Sequence, residues 1–260
     1  MGNTFDTVDL KAAEAEFFLG KMCGAGARID EFGFYFSAFL SAARTTTLAL
    51  QHFSHVCGFD EWYAPHRAAL AASSLAKQFL DLRNSHLHGG EYPVGGGTFQ
   101  NGKAEYFLKR DGILLFSHSN ETDLVSMSRR YLVMLLEIVH DCYVNLGVHV
   151  DPQQHYTKEH FATLGKTIEH AEAEILGFVC PPSVAENFSE DDRWHSLRSK
   201  LGGCQINHLF YSYLGRVTPQ PAEPENFADF EFTPAEKGWL HIPAGFASIE
   251  DYIASLPKSS

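Results

Sequence analysis

The stretch DEFGFYFSAFLSAARTTTLALQHFSHV, Asp30 to Val56, is apolar around most of a helical circumference. A surface helix keeps one polar face, so this pattern predicts a helix surrounded by other helices, ended by Cys57 and Gly58. Such a helix needs neighbours, and the flanking sequence supplies them. From Val8 to Met22, Leu10, Ala13, Phe17 and Phe18 recur at helical spacing in Ala- and Glu-rich sequence, predicting a first helix. A third is predicted from about Ala64 to His88, with Pro65 in its first turn and Gly89-Gly90 as its stop. A fourth is predicted to be capped by Asn120, with Asp123 in its first turn. It carries Leu124, Met127, Tyr131, Leu135, Ile138, Val139 and Cys142 on its stripe to about Leu146.

Between the third and fourth helices the period changes. Tyr106 to Leu108 and Ile113 to Phe116 flank Asp111-Gly112, a two-residue turn suited to strand twist, so a β hairpin is predicted at about residues 92–118. Gly95 to Gly97 lack the following Lys-Ser/Thr of a phosphate-binding loop and read as a flexible linker. Beyond residue 150, helices are predicted at about Tyr156 to Leu176, Asp191 to Lys200 and Cys204 to Tyr213, with a break at CPPS, Cys180 to Ser183. Prolines 219, 221, 224, 234, 243 and 257 mark an extended, acidic tail, with one short helix begun by Ser248 and Asp251. The fold class that follows is all-α: an antiparallel four-helix bundle over 1–150 with an inserted hairpin, then a helical extension and tail over 151–260.

Composition bounds the function. A hydrophobic content of 45% with 21 Phe and 10 Tyr builds a packed core and excludes a disordered chain. The formal net charge of -12 opposes a broad basic face on a nucleic-acid backbone but permits a local basic pocket. Five widely spaced cysteines with no CxxC indicate neither a zinc knuckle nor a disulfide framework and suit a reducing cytoplasm. Neither a leader nor an apolar run long enough to cross a bilayer is recognisable, so the expectation is a cytoplasmic protein without membrane contact.

The chemistry-bearing stretch is DLRNSHLHGG, Asp81 to Gly90. At about 100° per residue, Leu75, Phe79, Leu82 and His86 share one sector, Asp81, Asn84 and His88 the opposite one, and Arg83 the border. His86 reads as a core histidine, with a substrate contact as the alternative. His88 projects from the last turn, where the helix dipole favours a protonated imidazole, and reads either as a C-capping group or as a functional one. Arg44, inside the most apolar helix, needs either an acid on a neighbouring helix or a role as a second anion ligand. His52 and His55 lie three apart, yet no acidic spacing completes a metal site, and no metal or cofactor is predicted. WHSLRSKLGG and HLFYSYLGR mix aromatics with bases, which suits core packing of a helical subdomain better than base stacking.

Arg83, Asn84 and His88 resemble the R-x4-6-H signature of the HEPN superfamily, all-helical bundles named for higher eukaryotes and prokaryotes nucleotide-binding domains. The setting, near the end of the third helix of a bundle, is similar too, over roughly residues 8 to 147. FYFSAFLSAARTTTLALQ and FDEWY also look like uncharacterised bacterial proteins with a similar RN…H element. The resemblance implies a metal-independent endoribonuclease, in defence or stress response, acting as a homodimer with a composite cleft. Arg83 would bind phosphate, Asn84 would orient, and His88 would serve as acid or base, with Arg44 and His86 as further substrate contacts. RNA or a nucleotide is the implied ligand and an antitoxin a conceivable protein partner. Leu87, where many toxin-type members carry tyrosine, and the acidic charge support the alternative of a non-catalytic scaffold binding a nucleotide, RNA or protein.

Overall fold

The computed structural model describes residues 5–89, 94–110, 113–114, 123–222 and 247–255. In chain order its first elements are α1 (Asp6–Gly24), α2 (Ile29–Gln51), α3 (Phe59–Ala72), α4 (Ser74–Gly89), β1 (Val94–Gln100), β2 (Lys103–Arg110), β3 (Ile113–Leu114) and α5 (Leu124–Asn145). Next come α6 (Gly147–Val150), α7 (Pro152–His155), α8 (Lys158–Thr163), α9 (Ile168–Leu176) and α10 (Pro182–Ala185). The last are α11 (Glu190–Ser199), α12 (Asn207–Leu214) and α13 (Ile249–Ser255). The protein is thus predominantly α-helical with a small antiparallel sheet. Among the described residues no helix is long and apolar enough to cross a membrane.

α2 is the central helix that its apolar circumference predicts, packed against α1, α4 and α5. Phe32, Phe36, Phe39, Ala43 and Leu50 are buried along it. Its threonine run is satisfied within the helix: Thr45 Oγ1 donates to the Ser41 carbonyl at 2.7 Å and Thr46 Oγ1 to the Ala42 carbonyl at 3.2 Å. The helix ends at Gln51 rather than near Val56, because Phe53 turns inward onto the Phe5 ring, 5.1 Å away. The start of α1 meets the end of α5 through Asp9 and Tyr143, so these helices run antiparallel. α4 also runs antiparallel to α5, since Ser73, just before it, reaches Met134 while Phe79 packs on Tyr131.

The third predicted helix is two helices. Ser73, extended at φ -70° and ψ 120°, ends α3 and caps α4 by accepting the Ala76 amide at 3.2 Å. Pro65 therefore sits inside α3, on an exposed position, rather than in the first turn of a longer helix.

The glycine run is not a linker. Gly95 to Gly97 belong to β1, which pairs antiparallel with β2 through a two-residue turn at Asn101 (φ 51°) and Gly102 (φ 78°). A Cβ on Gly97 would meet the Tyr106 ring at 2.8 Å, so the absent side chain makes room for a tyrosine that stacks on Phe32 at 3.8 Å. β2 pairs with β3 as expected, although Asp111 and Gly112 themselves lie outside the described residues. Asp123, not a first-turn acid, is the cap of α5. Its Oδ2 accepts from the Ser126 amide at 3.0 Å and its Oδ1 from the Tyr106 amide at 3.3 Å, tying sheet to bundle. Asn120 lies outside the described residues.

The chain forms two compact units, Met1–Leu146 with Cys204–Thr218, and Gly147–Gly203 with Pro219–Ser260. This differs from a single cut at 150, because α12 returns to the bundle. Gln205 donates its amide to Asp9 Oδ2 at 2.7 Å, the Val217 carbonyl bonds to His140 at 2.9 Å, and Arg129 lies over the Tyr213 ring.

In the second unit Phe161, Ile168, Ala171, Trp194 and Leu197 form the core. Buried Arg193 bridges Glu172 and Glu169, and Glu172 also accepts the Cys180 amide. The single helix predicted over Tyr156 to Leu176 is split by Gly165 at φ 68°. α13 packs on α9 and begins, as its sequence indicates, with Ser248 Oγ accepting the Asp251 amide. The acidic tail over 223–246 lies outside the described residues.

Candidate functional site at the end of α4

The face of α4 that meets the bundle runs through Ala76 and Phe79, and Arg83 continues it at i+7 and i+4. The expected stripe through Leu75, Leu82 and His86 is shifted. These three are only half-buried, whereas Ala76 is buried. Arg83 is half-buried, like its neighbours Leu82 and Asn84, as a border position implies. Its Nη1 donates to Asn84 Oδ1 at 3.2 Å, while its Nε is buried with no hydrogen-bond partner among the described residues. Asn84, expected to face away from the core, is half-buried beside it.

The helical backbone continues through His88 to Gly89, which places His88 one turn beyond Asn84. Its imidazole lies outside the described residues.

Arg44 stands apart from this group. Phe79 packs between Phe36 and Phe39 of α2, at 6.0 and 6.1 Å. α1 runs antiparallel to both α2 and α5, so α2 runs with α5 and against α4. Arg44 and Arg83 therefore leave the Phe79 level in opposite directions, with their positions separated by roughly 15 Å along the bundle at 1.5 Å per residue. The acid expected beside Arg44 is absent among the described residues; Nη1 donates to Thr47 Oγ1 at 3.1 Å instead. Burial pushes the Tyr131 phenol above its ordinary pKa, and the nearby Arg44 charge partly offsets this.

The end of α4 thus offers a guanidinium whose fork is fixed by a neighbouring amide. Arginine carries five donors and stays charged, so one bond to Asn84 leaves capacity toward an anion such as phosphate. The carbonyls at the helix C-terminus favour cationic groups there.

A second polar cluster escaped the sequence reading. Asp141 Oδ2 on α5 accepts from Trp62 Nε1 at 2.7 Å and bonds to His66 Nε2 at 2.9 Å, joining α3 to α5. The i,i+4 spacing of Trp62 and His66 was its only local signal.

None of the five cysteines forms a disulfide. Burial pushes Cys142 upward and Cys180 up to about 11, which makes both poor nucleophiles at neutral pH. Among the described residues, no three His, Cys, Asp or Glu side chains converge as metal ligands. Trp194, in WHSLR, packs in the core at 2% exposure rather than presenting a face for base stacking.

Taken together, the geometry defines a predominantly helical protein with an arginine–asparagine pair near the end of a bundle helix. No protein-family model, curated protein or solved structure matches the chain.

Proposed function

We propose that this chain is a metal-independent endoribonuclease of HEPN type, acting through the end of α4 as a symmetric homodimer in the cytoplasm. The Arg83–Asn84 hydrogen bond carries this reading, because it is the contact that an orienting Asn84 would make with a phosphate-binding Arg83. In the reaction, a base takes the proton of the RNA 2′-OH as that oxygen bonds to phosphorus. The bond from phosphorus to the 5′-oxygen breaks, and an acid protonates the leaving oxygen. Histidine titrates near neutrality and suits both transfers. One His88 per chain is too few for two simultaneous transfers, so each protomer contributes one. Arg83 offsets the charge that grows on the phosphoryl oxygens, and His86 is a further substrate contact.

Incubation of structured and unstructured RNA with the purified protein in EDTA tests this. Cleavage is expected to survive chelation and to vanish in Arg83→Ala and in His88→Ala. Failure to cleave, or cleavage unchanged in both variants, overturns it.

One observation favours a second reading, a HEPN-like scaffold that binds RNA, a nucleotide or a protein such as an antitoxin without reaction. The buried Arg83 Nε commits part of the guanidinium to the bundle. Under that reading the wild-type protein retains RNA uncleaved, and Arg83→Ala lowers the melting temperature while leaving no activity to lose.

A further inference from the structure

We propose that His155 and His160 of the second unit bind one divalent first-row transition-metal ion as a two-imidazole site, with water filling the other positions. The site is independent of α4 and of the metal-independent reaction assigned to it.

The turn from α7 into α8 brings the two rings together. Their centres lie 4.8 Å apart with planes inclined at 59°. Two imidazoles on one tetrahedral ion, each bound at about 2.0–2.1 Å, place their ring centres roughly 5 Å apart. Little rotation is needed to close this pair on a metal. Both side chains are half-buried, so an ion can reach them from solvent.

The local backbone holds the ligands in place. The Thr157 amide donates to the His155 carbonyl at 3.0 Å, and Thr157 Oγ1 accepts the His160 amide at 3.2 Å as the cap of α8. The His155 ring also packs edgewise against Tyr156 and Phe161, at 4.8 and 5.7 Å between centres. A metal site needs ligands whose rotamers are already restrained in this way.

The protonation pattern suits a cation. A carbonyl can only accept, so His155 Nδ1 carries the proton that bonds to the Val148 carbonyl at 2.7 Å. Nε2 is left with its lone pair, and a carbonyl behind the ring is the outer contact that fixes a metal-binding histidine. At His160 the backbone amide and carbonyl take the hydrogen bonds, and its ring takes none among the described residues. Burial, then His155 and His149, hold that imidazole below its ordinary 6.5, so it is neutral and able to ligate at pH 7. Imidazole selects nickel, zinc or copper over magnesium and calcium, which take oxygen ligands. The net charge of -12 favours cations in general.

The pair that sequence spacing suggested, His52 and His55, is used differently. His55 bonds through Nδ1 to the His52 carbonyl and stacks on Phe53.

The test is calorimetric titration of the full chain with Ni²⁺, Zn²⁺ and Mg²⁺ near pH 7.5, alongside melting curves. Ni²⁺ and Zn²⁺ are expected to saturate one site with a Kd on the order of 10 µM and to raise the melting temperature. His155→Gln and His160→Gln should each weaken binding about tenfold or more and abolish the thermal shift, whereas His52→Gln with His55→Gln should change neither. Should His155→Gln fail to fold, His160→Gln carries the test, since that ring makes no hydrogen bond to lose. EDTA should reverse the thermal shift while leaving RNA cleavage intact, which separates this site from the one at α4. No saturable binding of Ni²⁺ or Zn²⁺ up to about 1 mM overturns the proposal. So does binding that persists unchanged in His160→Gln, or that Mg²⁺ matches.

Discussion

Gly97 of β1 lies against the ring of Tyr106 on the neighbouring strand, so closely that a Cβ would stand 2.8 Å from Cδ1 and 3.0 Å from the Glu105 carbonyl. The tyrosine ring, stacked on Phe32 and hydrogen-bonded through its hydroxyl to the Gly26 carbonyl, has little room to give. Gly97→Ala is therefore expected to destabilise the first unit by about 1–3 kcal/mol, as overpacking does. Gly20→Ala, in open space on α1, is the control and should stabilise by about 0.5–1 kcal/mol through the unfolded chain. Urea denaturation of both variants measures the difference in sign.

Asp9 accepts the Tyr143 hydroxyl at 2.8 Å and the Gln205 amide at 2.7 Å on the same oxygen. Tyr143→Phe should cost about 1–2 kcal/mol, because a buried carboxylate loses one of its donors. The loss should appear locally, as faster hydrogen exchange over α12, where docking depends on the Gln205 contact.

In the second unit the Arg193 guanidinium bridges Glu172 at 2.7 Å and Glu169 at 3.2 Å, with Glu172 at 2% exposure. Arg193→Met leaves a buried carboxylate with only the Cys180 amide and is expected to cost about 3–5 kcal/mol. Replacing both Arg193 with Met and Glu172 with Leu should recover much of that loss, since the uncompensated charge is then gone. Thermal unfolding of the single and double variants tests it.

His160 is held below the ordinary imidazole value of 6.5, first by burial and then by the charges of His155 and His149; the His155 ring centre is 4.8 Å away. A lowered folded pKa means that the unfolded chain binds the proton first. Stability is then undiminished above about pH 6.5, falls as pH drops through that value, and levels off below the folded pKa. His160→Gln should flatten this acid sensitivity. Hydrogen exchange at the amides of α8 and α9, compared at about pH 7.5 and 5.5, is the measurement.

Arg83 and Asn84 act as one unit if their hydrogen bond matters. Removing either side chain should cost less once the other is gone, with a coupling energy of about 0.5–1.5 kcal/mol in a double-mutant cycle on stability. Additive effects would mean that the contact carries no energy.

Much of this protein was legible in its sequence where the signal is local or periodic. The apolar circumference of α2 announced a buried central helix, and the stripe of α5 announced its length, because burial imposes the helical period directly on the residues. Asn101-Gly102 carried an equally local hairpin signal, which the conspicuous glycines at 95 to 97 obscured.

Other features depend on what each residue meets across the fold. Nothing near position 97 in the chain reveals that a tyrosine ring arrives there, nothing near Asp9 reveals that Gln205 returns to it, and nothing in DLRNSHLHGG reveals that Leu82 and His86 stay half-buried while Ala76 is buried. Helical period states that one face is buried, but its phase follows from how closely a neighbouring helix approaches. That distance belongs to the packed tertiary structure alone.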